Sequence, residues 1–153
     1  LARADAAQAA GLTPRARILG YAVAGVRPEV MGIGPIPAVQ RLLEKTGLSV
    51  GDFDVIESNE AFAAQVLANV AAITDREWVR ATAGVQAAMG DFDWDRVNPN
   101  GGSVALGHPF GATGARDLSQ AVKELWAMPP GSRAIVSICA DGGQGTVALL
   151  ERG

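Results

Sequence analysis

The stretch Gly101-Gly102-Ser103-Val104-Ala105-Leu106-Gly107-His108-Pro109-Phe110-Gly111-Ala112-Thr113-Gly114-Ala115-Arg116 carries the single histidine of a 153-residue chain. Glycine at this density lets backbone approach a ligand closely and reach dihedrals that other residues avoid. Histidine is the side chain whose ordinary pKa puts its charge change near neutrality, so His108 is the first candidate for any proton transfer. A plainer reading is a glycine-rich turn whose imidazole caps the helix that follows. A dinucleotide loop is a third reading, since Gly111-Ala112-Thr113-Gly114 precedes a helix, but the G-x-G-x-x-G order directly after a strand is missing.

Outward from this loop, extended and helical patterns alternate. Downstream, residues 115–126 read as a helix broken by Met128-Pro129-Pro130-Gly131. Arg133 to Ile138 is a continuous apolar run, typical of a buried central strand. A turn at Asp141-Gly142-Gly143 leads into a strand from Thr146 to Leu150, and these last two strands are placed to pair as a hairpin. Upstream, Arg17–Val26 and Asp54–Glu57 read as strands. The stretch Met31-Gly32-Ile33-Gly34-Pro35-Ile36-Pro37 reads as a loop, with Pro35 or Pro37 suited to a first helical turn. Residues 38–46 repeat Val39, Leu42 and Leu43 at helical spacing before Gly47, residues 61–73 form an alanine-rich helix, and residues 2–10 a short one closed by Gly11. Residues 74–96, with Trp78, Met89 and Trp94, predict one amphipathic helix inside an insertion. Alternation of this kind indicates an α/β fold, with helices covering a sheet.

Composition bounds the function classes. The chain is 48% hydrophobic and 19% charged, as for one ordinary globular domain. A net charge of −3 gives no basic footprint for nucleic acid. No apolar run approaches the roughly 20 residues of a membrane helix, and no signal peptide is visible. One cysteine excludes an intrachain disulfide and fits a reducing compartment, so a cytoplasmic location is expected. The chain starts at Leu1 inside an alanine-rich pattern, which reads as a piece of something longer.

Groups suited to chemistry stand at three strand or loop ends: Asn59-Glu60, His108 and Cys139. In open α/β sheets such ends are where sites gather. Each has a structural alternative. Asn59 suits a helix cap, and Cys139 a buried strand-end thiol.

Together Asn59-Glu60-Ala61-Phe62, the loop with Gly107-His108-Pro109, and Cys139 before its glycine run resemble the thiolases. Met31 to Ala38 and Val97-Asn98-Pro99-Asn100-Gly101-Gly102 support the resemblance, in the family's order, from about residue 10 onward. It implies that residues 1–153 are a thiolase C-terminal domain, with a five-stranded mixed sheet covered by helices. It also implies an N-terminal half, carrying the nucleophilic cysteine and much of the coenzyme A site, which this chain lacks. Alone, the chain is then expected to be inactive. The resemblance gives His108 the proton of that absent thiol and a place in an oxyanion hole. Asn59 would hold a water completing the hole, and Cys139 would be the acid and base at the acetyl-CoA methyl. Met31, Ala61 and Phe62 would line the acyl and pantetheine channel.

The family's usual Cys-x-Gly is Cys139-Ala140-Asp141 here. The N–H of Asp141 remains at a substrate-binding position, while its carboxylate is expected to turn away from the thiol. Gly-Gly-Ser, Cys-Ala, His-Pro-Phe-Gly-Ala-Thr-Gly and the long Asn59–His108 interval resemble the thiolase subunits of fatty-acid β-oxidation complexes, although those often place His where Asn59 stands. The implied function is thiolytic cleavage of 3-ketoacyl-CoA to acyl-CoA and acetyl-CoA. The alternatives are a condensing acetyl-CoA acetyltransferase and a non-catalytic thiolase-like binding module. Coenzyme A enters as substrate; no other cofactor and no metal are expected. A homodimer or homotetramer, and a β-oxidation complex partner, complete the expectations.

Overall fold

Strand β3 (Arg133–Ala140) is the axis of the molecule. The computed structural model describes residues 1–74, 77–85 and 88–153. Within them a four-stranded sheet runs in the order β1 (Ala16–Gly25), β4 (Gln144–Arg152), β3, β2 (Val55–Ser58). Ala134, Ile135 and Val136 are buried on both faces of the sheet, as their unbroken apolar run requires. β3 pairs parallel with β2, from Val55 opposite Ala134 to Ser58 opposite Ser137. It pairs antiparallel with β4, closing the expected hairpin through Ala140 opposite Gln144. β1 pairs antiparallel along the far side of β4.

The helices are α1 (Ala4–Ala9), α2 (Pro35–Thr46), α3 (Ala63–Thr74), α4 (Glu77–Thr82), α5 (Ser103–Leu106) and α6 (Thr113–Trp126). Pro35 starts α2, where its fixed φ and missing N–H cost nothing, and Gly47 ends it in the left-handed region at φ 70°. Helices α2 and α3 cover one face of the sheet through Ile36, Leu42, Phe53, Ile56 and Leu149. α6 covers the other, setting Ala121 and Leu125 against Val55, Val136 and Leu150. The result is three layers, helix–sheet–helix.

Two expectations are corrected. The sheet among the described residues has four strands, not five. On the free edge of β2 only Val97 makes a single parallel bridge, to Ile56. A 3-10 turn at Trp94–Arg96 precedes it, and Asn98 follows at φ 44°, so the segment cannot extend into a strand. Nor do residues 74–96 form one amphipathic helix. α4 is a six-residue helix ending at Thr82, Gly84 takes φ 75°, and residues 91–93 are irregular. Residues 75, 76, 86 and 87 lie outside the described part. The loop at 31–37 is also more regular than expected, with a 3-10 turn over Pro28–Ile33 leading into α2.

The tightest crossing joins α2 to the β3–β4 hairpin. A side chain at Gly145 would run into the carbonyl of Gly34, so the strand and the helix start meet backbone to backbone.

Candidate active site

His108 sits between α5 and α6, half-buried, with Phe110 edge-on at 5.0 Å between ring centroids. Its Nδ1 lies 2.7 Å from the Oγ1 of Thr113, the first residue of α6. Thr113 Oγ1 also lies 3.0 Å from the carbonyl of Pro109, which accepts the Ala112 and Thr113 N–H groups at 2.8 and 2.9 Å. A hydroxyl proton given to that carbonyl leaves Oγ1 the acceptor of the imidazole, and one given to Nδ1 reverses the bond. In the first arrangement Nδ1 is the protonated nitrogen of neutral His108 and the Nε2 lone pair is free to take a proton.

Asn59 is 1% exposed at the end of β2. Its backbone N–H donates to Ser137 at 2.8 Å, which continues the β2–β3 ladder by one step. Its side chain does not cap α3. Instead Oδ1 accepts from the hydroxyl of Ser103 at 3.0 Å. Ser103 in turn accepts from Arg116 Nη2 at 2.9 Å, and Arg116 Nη1 reaches the carbonyl of Gly107 at 2.6 Å. Asn59 Nδ2, also buried, has no hydrogen-bond partner among the described residues. A chain of hydrogen bonds thus runs from Asn59 to the residue preceding His108.

Glu60 fixes the loop from below. One carboxylate oxygen accepts from the Val104 N–H at 2.8 Å, and the other from Asn98 Nδ2 at 2.7 Å. Any side chain at Gly102 would occupy the space of that carboxylate, so the second glycine of Gly101-Gly102 is there to admit it.

Cys139 is buried and free near the end of β3, opposite Gly145. Burial in apolar surroundings pushes its thiol pKa up, which keeps it protonated. Asp141 is exposed, and its carboxylate accepts from the N–H of Gly142 at 2.8 Å. The first turn of α6 lies against the neighbouring residue, since a Cβ at Gly114 would sit 2.9 Å from Ile138 Cδ1. Backbone register therefore brings the Asn59, His108 and Cys139 stretches to one end of the sheet. No hydrogen bond among the described residues joins the three side chains directly.

Met31 and Phe62 border the same open cleft of about 400 Å³, together with Gln65 and Trp78. Ala61 is half-buried beside Phe62 and does not line it. Gln65 is 8% exposed with neither end of its amide paired among the described residues, a polar feature that a helical-core reading of α3 passes over.

On the α6 side, Glu57 is buried and its pKa is raised to about 8, first by burial and then by the carboxylates of Glu124 and Asp117. Asp117 is raised too, by burial, against the pull of the Arg116 guanidinium that pairs with it at 3.0 Å. Sequence reading gave no role to Glu57, Ser103, Thr113 or Arg116. A polar residue five places after the histidine, and an arginine in the first turn of a helix that begins at that loop, were the available signals.

Comparison with known proteins agrees with this arrangement. Residues 12–152 match the family model described as the thiolase C-terminal domain. The chain is 50% identical over 153 residues to a β-ketoadipyl-CoA thiolase of Pseudomonas knackmussii, covering 99% of this chain and 34% of that protein. It is 46% identical to an acetyl-CoA acetyltransferase of Escherichia coli, with 97% and 33% covered. The crystal structure of human mitochondrial 3-ketoacyl-CoA thiolase superposes with a TM-score of 0.79 at 38% identity, over 99% of this chain and 34% of that one. The chain therefore spans about a third of the length of the relatives it matches. No helix is long and apolar enough to cross a membrane among the described residues. A site assembled at the sheet end from these three stretches, a match over almost the whole chain and relatives at up to 50% identity agree on one conclusion: the chain belongs to the thiolase family, as its C-terminal domain.

Proposed function

We propose that this chain supplies the acid–base and oxyanion side of a thiolase reaction, the transfer of an acyl group between a 3-ketoacyl-CoA and coenzyme A. The observation that carries the reading is the opposite polarity of two groups at one sheet end. In this reading Thr113 gives its proton to Pro109, so His108 presents a bare Nε2, and Asn59 presents an unpaired donor, Nδ2. A reaction that must remove a thiol proton and then hold an oxyanion needs one of each.

In this scheme a cysteine of the N-terminal half gives its proton to His108 Nε2 and attacks the 3-keto carbon. The carbonyl π electrons move onto oxygen, where Asn59 Nδ2 donates through a water. As that oxyanion collapses, the C2–C3 bond breaks and its electron pair becomes the enolate of acetyl-CoA. The Cys139 thiol, kept protonated by burial, delivers its proton to C2. Coenzyme A then gives up its thiol proton to the Cys139 thiolate and attacks the acyl-enzyme carbonyl. The adduct collapses with cleavage of the bond to the N-terminal cysteine, which leaves as thiolate and takes its proton back from His108 as acyl-CoA departs. Met31 and Phe62 border the space for the acyl and pantetheine groups. The whole cycle needs the N-terminal half, so the 153-residue chain by itself turns nothing over.

The relatives named for β-ketoadipyl-CoA favour a short, carboxylated 3-oxoacyl chain, whereas the Gly-Gly-Ser and Cys-Ala signatures favour fatty-acid β-oxidation. A thiolase carrying this chain as its C-terminal part distinguishes them when offered 3-oxoadipyl-CoA, long-chain 3-ketoacyl-CoA and acetoacetyl-CoA. Activity confined to acetoacetyl-CoA supports the acetyltransferase alternative. In the same enzyme His108→Ala is expected to lower kcat/KM by a factor on the order of 10³. Full activity of that variant would overturn the reading and leave the non-catalytic module in its place.

A further inference from the structure

We propose that Ser103 and Arg116 are positioning residues that decide which end of the Asn59 amide faces the reaction. This rests on the thiolase reading of Asn59 given above. Arg116 can only donate, so its contact with Ser103 Oγ at 2.9 Å makes the serine oxygen an acceptor there. The serine proton is then directed at Asn59, 3.0 Å away, and the amide atom that receives it is the oxygen. The flipped amide would aim a second donor at Ser103 and leave the serine proton without an acceptor. It would also turn Oδ1, a partial negative charge, toward a developing oxyanion.

The same arginine holds the carbonyl of Gly107 at 2.6 Å and pairs with buried Asp117 at 3.0 Å. One planar fork thereby ties the backbone just before His108 to the side chain that orients Asn59, a geometry that a lysine's single nitrogen does not reproduce. Asp117 neutralises the guanidinium and holds it in place. In this way α6, which touches no reacting atom, sets the polarity of the site.

The test is a double-mutant cycle in a thiolase carrying this chain as its C-terminal part. Ser103→Ala is expected to lower kcat about tenfold, the loss of one hydrogen bond to a dipole that acts in the transition state, with KM unchanged. In an Asn59→Ala background the same change is expected to cost nothing further, because its whole effect passes through the amide. Arg116→Lys is the second variant, expected to couple to Asn59→Ala in part and to keep a residual kcat loss through the Gly107 carbonyl beside His108. Thermal midpoints of all variants show that the enzyme is folded. If Ser103→Ala leaves kcat intact, or if its effect adds fully to that of Asn59→Ala, the positioning role is overturned. If Asn59→Ala and His108→Ala are themselves fully active, the thiolase reading fails first.

Discussion

One hydroxyl proton determines the chemistry of the only imidazole in the chain. In the proposed mechanism Thr113 gives it to the Pro109 carbonyl, so the imidazole supplies the proton at Nδ1 and Nε2 is left bare. Thr113→Val keeps the shape of this buried side chain and removes that acceptor. It is expected to lower kcat/KM about tenfold, through the fraction of His108 that adopts the other tautomer. Steady-state kinetics on the full enzyme check this. Cys139 gives a second prediction at this scale. Because burial raises its pKa, alkylation of the thiol is expected to be slow at neutral pH and to accelerate only above the ordinary cysteine range; rapid alkylation at pH 7 would contradict it. His108, Asn59 and Cys139 were legible in the sequence because their flanking glycines and their order make a pattern. Thr113, Ser103 and Arg116 were not, because their roles depend on which partner takes each proton, and spacing does not carry that information.

Between elements, the fold is held where backbones meet without side chains. At Gly145 a methyl group would strike the Gly34 carbonyl, and at Gly102 it would strike the Glu60 carboxylate. Gly145→Ala should cost about 3 kcal/mol by separating β4 from the start of α2. Gly102→Ala should cost less stability and more activity, since it dislodges the carboxylate that holds Val104 and Asn98. Denaturant unfolding measures the first effect, and kcat the second. All four strands and the three long flanking helices could be read from apolar runs, prolines and glycines to within a few residues. The fifth strand came from family resemblance, and here Val97 contributes one bridge in place of a strand. The misread stretch was 74–96, where Gly84 at φ 75° and Gly90 at φ 124° interrupt the helical spacing.

The two faces of the sheet differ in kind at the scale of the whole molecule. Among the described residues the α2–α3 side buries the amides Gln65 and Asn69 but no charged group, while the α6 side buries Glu57, Asp117 and Glu124 beside its small apolar cluster. Glu57 binds its proton more tightly in the fold than in the unfolded chain, since its pKa rises from 4.5 to about 8. The folded state therefore holds the extra proton, and the stability it contributes is lost as pH climbs through that window. Each tenfold difference in proton affinity is worth about 1.4 kcal/mol, so Glu57→Gln is expected to flatten the fall in thermal midpoint between pH 5 and about 8. An unchanged slope would remove Glu57 as its cause. Such burial of a carboxyl cannot be read from sequence, where Asp-Val-Ile-Glu is simply a strand with a polar end.

The central claim is that the fold fixes His108 with Nε2 as a base, and the chain's single histidine makes it directly measurable. In a spectrum of the folded chain labelled with ¹⁵N-histidine, two-bond couplings from the ring protons identify the protonated nitrogen at a pH where the imidazole is neutral. The expected result is one dominant tautomer, with the proton on Nδ1 and Nε2 bare. A proton on Nε2, or an even mixture of the two forms, would contradict the account.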